Sequence, residues 1–192
     1  MPDVEPLVQV RAKISEVIAG SSVPEDPIHS TNTLEWLLKF EPDADEALQL
    51  AALGHDIDRA QAASKVLRAD FSDYDDFKAA HARHSAEILL EILRQCRVGD
   101  PSLADELYRL VCLHEVGGDA RSDLLVDVDS LSYFDVNLSL YRDRNSREET
   151  LRRCVWGYRR LSKRARVIAS QLYPHGDELA LMIEEAAIKA DQ

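Results

Sequence analysis

Five of the six histidines fall between His29 and His114, and His55 is followed directly by an aspartate at the end of the apolar run ALQLAALGHD. Imidazole and carboxylate together suit manganese, iron, zinc or magnesium-type ions in hydrolytic or oxidative chemistry. Helical phase directs three of these histidines inward. His29 lies on the stripe of Thr33, Trp36 and Phe40; His55 follows Leu48, Ala51 and Ala52; His114 follows Leu107, Leu110 and Val111. A single histidine on an apolar stripe reads as an ordinary core residue. Three on separate helices read differently, because burying several imidazoles costs desolvation at each unless something shared coordinates them.

The elements that must position these residues are helices. Leucine, alanine, glutamate and arginine dominate, while glycine and proline are scarce. VEPLVQVRAKISEVIAG forms a first helix and residues 28–40 a second. EPDADEALQLAALGHD supplies a third, KAAHARHSAEILLEILRQC a long fourth and PSLADELYRLVCLHE a fifth, started by its proline. RSDLLVDVDSLSYFDVNLSLY, apolar on nearly every side, reads as a central helix. NSREETLRRCVWGYRRLSKRARVIASQLY forms one or two more, opening on a capping box from Ser146 to Glu149, and GDELALMIEEAAIKA the last. No hairpin signal or period-2 run appears, so the expected class is all-α, one domain over 1–192. Adjacent helical residues diverge by about 100°, but a helix end can let the side chains of His55 and Asp56 reach one centre from neighbouring directions.

Composition narrows the function. A net charge of −12 argues against a general nucleic-acid binder. Residues 142–166 nevertheless hold ten basic side chains against three acidic ones. They form a solvated surface or a cationic wall for an anionic substrate, and LRRCVWGYRRLSKRAR within them offers a homodimer face, a lid or an exposed helix. Trp156 and Tyr158 read as core anchors. Cys96, Cys112 and Cys154 form no C-x-x-C pair and read as reduced, buried thiols. No apolar run is long enough for a membrane span, and the N-terminus lacks the basic start and apolar middle of a secretory signal, so the expectation is a cytoplasmic protein.

The series His29, His55-Asp56, His81 or His84, His114 and Asp129 on successive helices resembles the HD-domain superfamily of metal-dependent phosphohydrolases, over an HD-like core of about 28–135. A C-terminal helical extension of about 145–190 lies beyond it. The resemblance makes His29, His55, Asp56 and Asp129 a mononuclear set. The additional histidines in HARHSAEIL and LHEVGGD resemble those of members holding two metals, with Asp56 as the bridge. Phase places His81 roughly 50° and His84 roughly 110° from the centre of the apolar arc of their helix. His81 is therefore the preferred ligand, and His84 a substrate contact or surface residue. LLVDVDSLSYFD offers Asp127, Asp129 and Asp135 without a phase to separate them; the family-like V-D-S-L run selects Asp129.

The resemblance implies one or two divalent ions (Mn, Fe, Co, Mg or Zn) that deliver a metal-bound hydroxide to a small phosphorylated substrate. Asp56 and Arg59 are the expected catalytic residues. Arg59, four residues after His55, His84 and Arg142 are the expected substrate contacts, with Lys65, Arg83 and Arg144 as weaker cationic candidates. H-D-I-D-R departs from the H-D-I-G-K and G-Y-P patterns of cyclic-dinucleotide phosphodiesterases and from the H-D-x-x-E-D of alarmone hydrolases. The expectation is a small phosphomonoester or nucleotide. Four histidines and two aspartates also match an oxygen-activating diiron branch of the superfamily. A non-catalytic helical interaction domain is the third reading.

Overall fold

Residues 4–192 are described by the computed structural model, with side-chain surroundings from residue 6 onward, and no strand occurs among them. The chain is all-α. Helix α1 (Val4–Ala19) buries Leu7, Val10, Ile14 and Ile18, the three- and four-residue spacing that aligns side chains on one helical face. Helices α2 (Asp26–Phe40), α3 (Glu46–Gly54), α4 (Tyr74–Gln95), α5 (Pro101–Leu113) and α6 (Ala120–Ser132) follow. Contacts join α2 to α3 and α6, α3 to α5 and α6, and α4 to α5, so these five helices enclose one centre.

The starts of these helices are written in short acceptor side chains. Asp45 accepts from the Leu48 amide, Asp73 from Asp75 and Asp76, and Asp100 from Ser102 and Leu103 just before Pro101. Asp119 and Ser122 complete a reciprocal capping box on α6. Each satisfies donors that the first turn leaves unpaired. Helix α5 ends into Gly117, whose φ of +68° is the left-handed conformation that favours glycine.

The apolar segment after Asp119 departs from one uninterrupted helix. A π-helical turn at Tyr133–Asn137 separates α6 from α7 (Leu138–Arg144). The wider turn changes the helical phase, burying Phe134 while Tyr133 and Asn137 line cavities. The basic segment divides into α8 (Arg147–Arg160) and α9 (Lys163–Ala169), the second capped by Ser162, whose own amide donates to Asp127 at 2.7 Å. Both pack on α6, and α10 (Glu178–Ala190) packs along α8. One cluster of buried apolar side chains runs from Leu7 to Ala186, so the C-terminal helices share the core of the preceding ones. Among the described residues no helix is long and apolar enough to cross a membrane.

Candidate metal centre

The centre is built where α3 stops. A Cβ added to Gly54 would stand 2.6 Å from Leu89 Cδ2, so glycine permits the close approach of α3 to α4. His55 caps the helix, and Asp56 turns out of it at φ −102°, ψ 14°. The break brings two consecutive side chains to one point. His29 enters from α2, His81 from α4, His114 from the end of α5 and Asp129 from α6. All four histidines are buried.

Each imidazole is held by its Nδ1. His55 Nδ1 lies 3.1 Å from the Ala52 carbonyl and His114 Nδ1 2.7 Å from the Val111 carbonyl. A carbonyl only accepts, so both nitrogens must carry the proton. His81 Nδ1 donates to Asp58 Oδ2 at 2.7 Å. Ser132 Oγ lies 2.9 Å from His29 Nδ1 and 3.1 Å from the His29 carbonyl. Its single hydrogen goes to the carbonyl, leaving the oxygen to accept from Nδ1–H. In neutral form, therefore, all four rings turn an Nε2 lone pair toward the centre.

Those lone pairs face other acceptors. The Nε2 atoms of His29 and His55 are 3.3 Å apart, and Asp129 Oδ1 is 3.1 Å from the first and 3.5 Å from the second. Asp56 Oδ2 lies 4.0 Å and 3.7 Å from the same two nitrogens, while Asp56 Oδ1 is 2.8 Å from His81 Nε2 and 3.9 Å from His114 Nε2. Two sets of ligand atoms, His29–His55–Asp56 and Asp56–His81–His114, each lie within 4.8 Å of one another and share Asp56. Lone pairs and carboxylates this close repel unless positive charge lies among them. The donor set fits divalent ions, one in each set, with the two oxygens of Asp56 facing different sets.

The ionisation pattern shows the same demand for positive charge. Burial resists ionisation of Asp56, but Arg59, His55 and His81 hold its carboxyl well below the usual range. Burial is likewise outweighed at Asp129 by Arg160, His29 and His55. Burial also opposes a charge on His81, yet the carboxylates of Asp56 and Asp58 bring it up to about 9. His114, where burial dominates, is pushed down to about 4 and stays neutral.

This centre lies in the wall of a cavity of about 330 Å³. Arg59, Lys65, Arg68, Lys78, Arg153 and Arg160 line it, against the carboxylates of Asp56, Asp58, Glu115 and Asp129. Arg160 reaches the His114 carbonyl and Asp129 Oδ2, both at 3.1 Å, steadying the aspartate that faces His29. The Trp156 ring is surrounded by Lys78 Nζ at 5.0 Å and the guanidinium carbons of Arg153 at 4.3 Å and Arg160 at 4.6 Å. Such crowding of cations around one ring favours an anion in the cavity.

A family model described as "Domain of unknown function (DUF4202)" matches residues 12–183. The chain belongs to this family. No curated protein and no solved structure matches it.

In this DUF4202 member the matched span contains all six expected ligands, and the fold brings His29, His55, Asp56, His81, His114 and Asp129 together. Asp127 and Asp135 face elsewhere: the first accepts from the Ser162 amide, the second from Asn32 Nδ2 at 3.1 Å and Trp36 Nε1 at 3.0 Å. Arg59 reaches the centre by a different route from the one expected. Helix α3 has already ended, and a 3-10 turn over Ile57–Ala60 carries Arg59 Nη2 to 3.0 Å from Asp56 Oδ2.

Two expected substrate contacts stand outside the cavity lining. Arg142 pairs with Glu178 at 2.9 Å, because α7 directs it toward the start of α10. His84 turns its Nδ1 to Asp58. Lys65 does line the cavity, whereas Arg144 pairs with Glu25. Trp156 is half-buried in the cavity wall, while Tyr158 is in the core. Asp58 is the residue that helical reasoning missed. It is 1% exposed and supports both His81 and His84. Its signal was the second aspartate of H-D-I-D, which only a turn at Asp56 can bring inward.

Proposed function

We propose that this chain is a metal-dependent phosphohydrolase of the HD type acting on a small phosphomonoester. One observation carries the reading: two His/Asp groups sharing Asp56 open through His29, Asp56, His81 and His114 onto a cavity with six cationic side chains. Divalent ions held there would lower the pKa of a coordinated water to near neutrality and neutralise charge on phosphoryl oxygens.

The chain's own residues supply the rest. His29, His55 and Asp129 would hold one ion, His81 and His114 the other, and Asp56 both. Arg153, Lys78 and Arg160 stand where they can hold a phosphate against the centre, and the buried histidine walls keep bulk water from its rear. Arg59, already paired with Asp56, orients that carboxylate and keeps a guanidinium at the cavity wall. Four histidines and two aspartates also suit oxygen-activating diiron chemistry. The excess of cations over carboxylates in the cavity favours phosphoryl transfer over it.

The test is phosphate release from a panel of sugar phosphates and nucleotides by protein loaded with manganese, iron or cobalt. His55→Ala and Asp56→Ala, checked for helical content, are expected to abolish release. Undiminished turnover in both variants contradicts the proposal.

A further inference from the structure

A second chamber of about 460 Å³ adjoins the first, sharing Val23, Arg59, Tyr74, Tyr133, Asn137 and Arg153 with it. The volume lies within the 300–1,000 Å³ typical of small-ligand pockets. Four of its lining residues each carry a buried side-chain oxygen that the protein does not satisfy. Glu25 is 3% exposed and pairs with Arg144 through Oε1, leaving Oε2 without a partner. Asp26, 5% exposed, accepts from Ser21 through Oδ2 at 2.6 Å; its Oδ1 has only Arg59 Nη1 at 3.6 Å, beyond hydrogen-bond reach. Asn137 Oδ1 and the Tyr133 hydroxyl are likewise buried and unpaired. Native proteins leave few such groups unsatisfied, so four around one chamber call for an explanation.

We propose that this chamber is the subsite for the alcohol portion of the substrate, and that this portion is neutral and carries several hydroxyl groups, as in a sugar or polyol phosphate. The inference rests on the phosphohydrolase reading, which sets the phosphoryl group at the His/Asp centre. Three of the four unpaired atoms are pure acceptors, and hydroxyls donate to them while accepting from Tyr133. Glu25, Asp26 and Glu149 line the chamber with Arg59, Arg144 and Arg153, so charges balance and a neutral group is preferred. An aryl or alkyl group would leave the acceptors unpaired, and sites built this way discriminate strongly against analogues lacking the donor.

Binding, not turnover, tests this. Isothermal titration of the metal-loaded full chain would compare inorganic phosphate, phenyl phosphate, glucose 6-phosphate and ribose 5-phosphate. At least one sugar phosphate is expected to bind roughly tenfold or more tighter than phenyl phosphate, the worth of one or two net hydrogen bonds. Asn137→Leu and Tyr133→Phe should each weaken binding of that sugar phosphate by more than they weaken binding of inorganic phosphate, so that the advantage shrinks. Phosphate binding without a preference for either sugar phosphate, or a preference surviving in both variants, overturns the subsite alone. Absence of phosphate binding to the native protein overturns the subsite together with the phosphohydrolase reading.

Discussion

Replacing Asp58 by asparagine separates the two halves of the centre. Asp58 Oδ2 accepts the His81 Nδ1 proton at 2.7 Å, its Oδ1 meets His84, and the Val66 amide donates to Oδ1 at 3.1 Å. The carboxylate fixes which His81 nitrogen keeps its proton and makes the other more basic. Asparagine has the same shape but no charge, and its amide nitrogen cannot accept. Losing one charge-assisted hydrogen bond is worth about 1.5–3 kcal/mol. With tenfold in affinity per 1.4 kcal/mol, this predicts metal binding about 10- to 100-fold weaker at His81–His114. The other set does not touch Asp58, since His29 is held by Ser132 and His55 by the Ala52 carbonyl. Manganese titration by calorimetry should therefore show two sites in the native protein and, in the variant, one site kept and one weakened. Native affinities at both sites, or equal loss at both in a variant with unchanged melting, would refute the assignment of Asp58 to one subsite.

Other consequences are independent of that experiment. Arg153→Gln removes a cavity cation outside the two His/Asp groups, and should raise KM for the phosphorylated substrate about 10- to 100-fold with a smaller change in kcat, read from steady-state kinetics. Chelating the metal should lower Tm by roughly 5–10 °C, since a ligand at 100 times its Kd adds about 2.7 kcal/mol to the stability of a domain this size; an unmoved Tm speaks against bound metal. Burial pushes the Cys154 thiol up to about 12, so it should resist thiol reagents at pH 8 until the chain unfolds. Because this folded-state pKa is raised, its contribution to stability is intact below the unfolded value near 9 and is lost as pH rises toward 12; chemical denaturation at pH 8 and 10.5, compared with Cys154→Ala, measures it. Gly117→Ala should destabilise by at least about 1 kcal/mol, since a Cβ at φ +68° would stand 2.2 Å from Asp123 Oδ1.

Helical phase in the sequence was enough to turn His29, His55 and His114 inward, because each follows apolar residues at three- and four-residue spacing. The long α4 gave His81 priority over His84 for the same reason. What phase cannot supply is the path of the chain after a helix stops. Arg59 and Asp58 lie in a 3-10 turn, so a spacing rule for helices misjudged the first and passed over the second. Nor can it tell which remote helix covers the opening. The surplus of arginines in 142–166 was visible, but only the packing of α8 across α6 separates Arg153 and Arg160, in the cavity, from Arg142, on Glu178. The same packing makes Trp156 a platform for cations rather than a core anchor. The π turn that moves Tyr133 and Asn137 to the cavities left no periodic trace in an all-round apolar segment.

Anomalous diffraction from crystals grown with manganese addresses the central claim most directly. The account predicts two peaks per chain, one among His29, His55 and Asp129 and one between His81 and His114, with an oxygen of Asp56 directed to each. Crystals in which the four Nε2 atoms enclose no anomalous density, or in which manganese binds only at surface carboxylates, would contradict it.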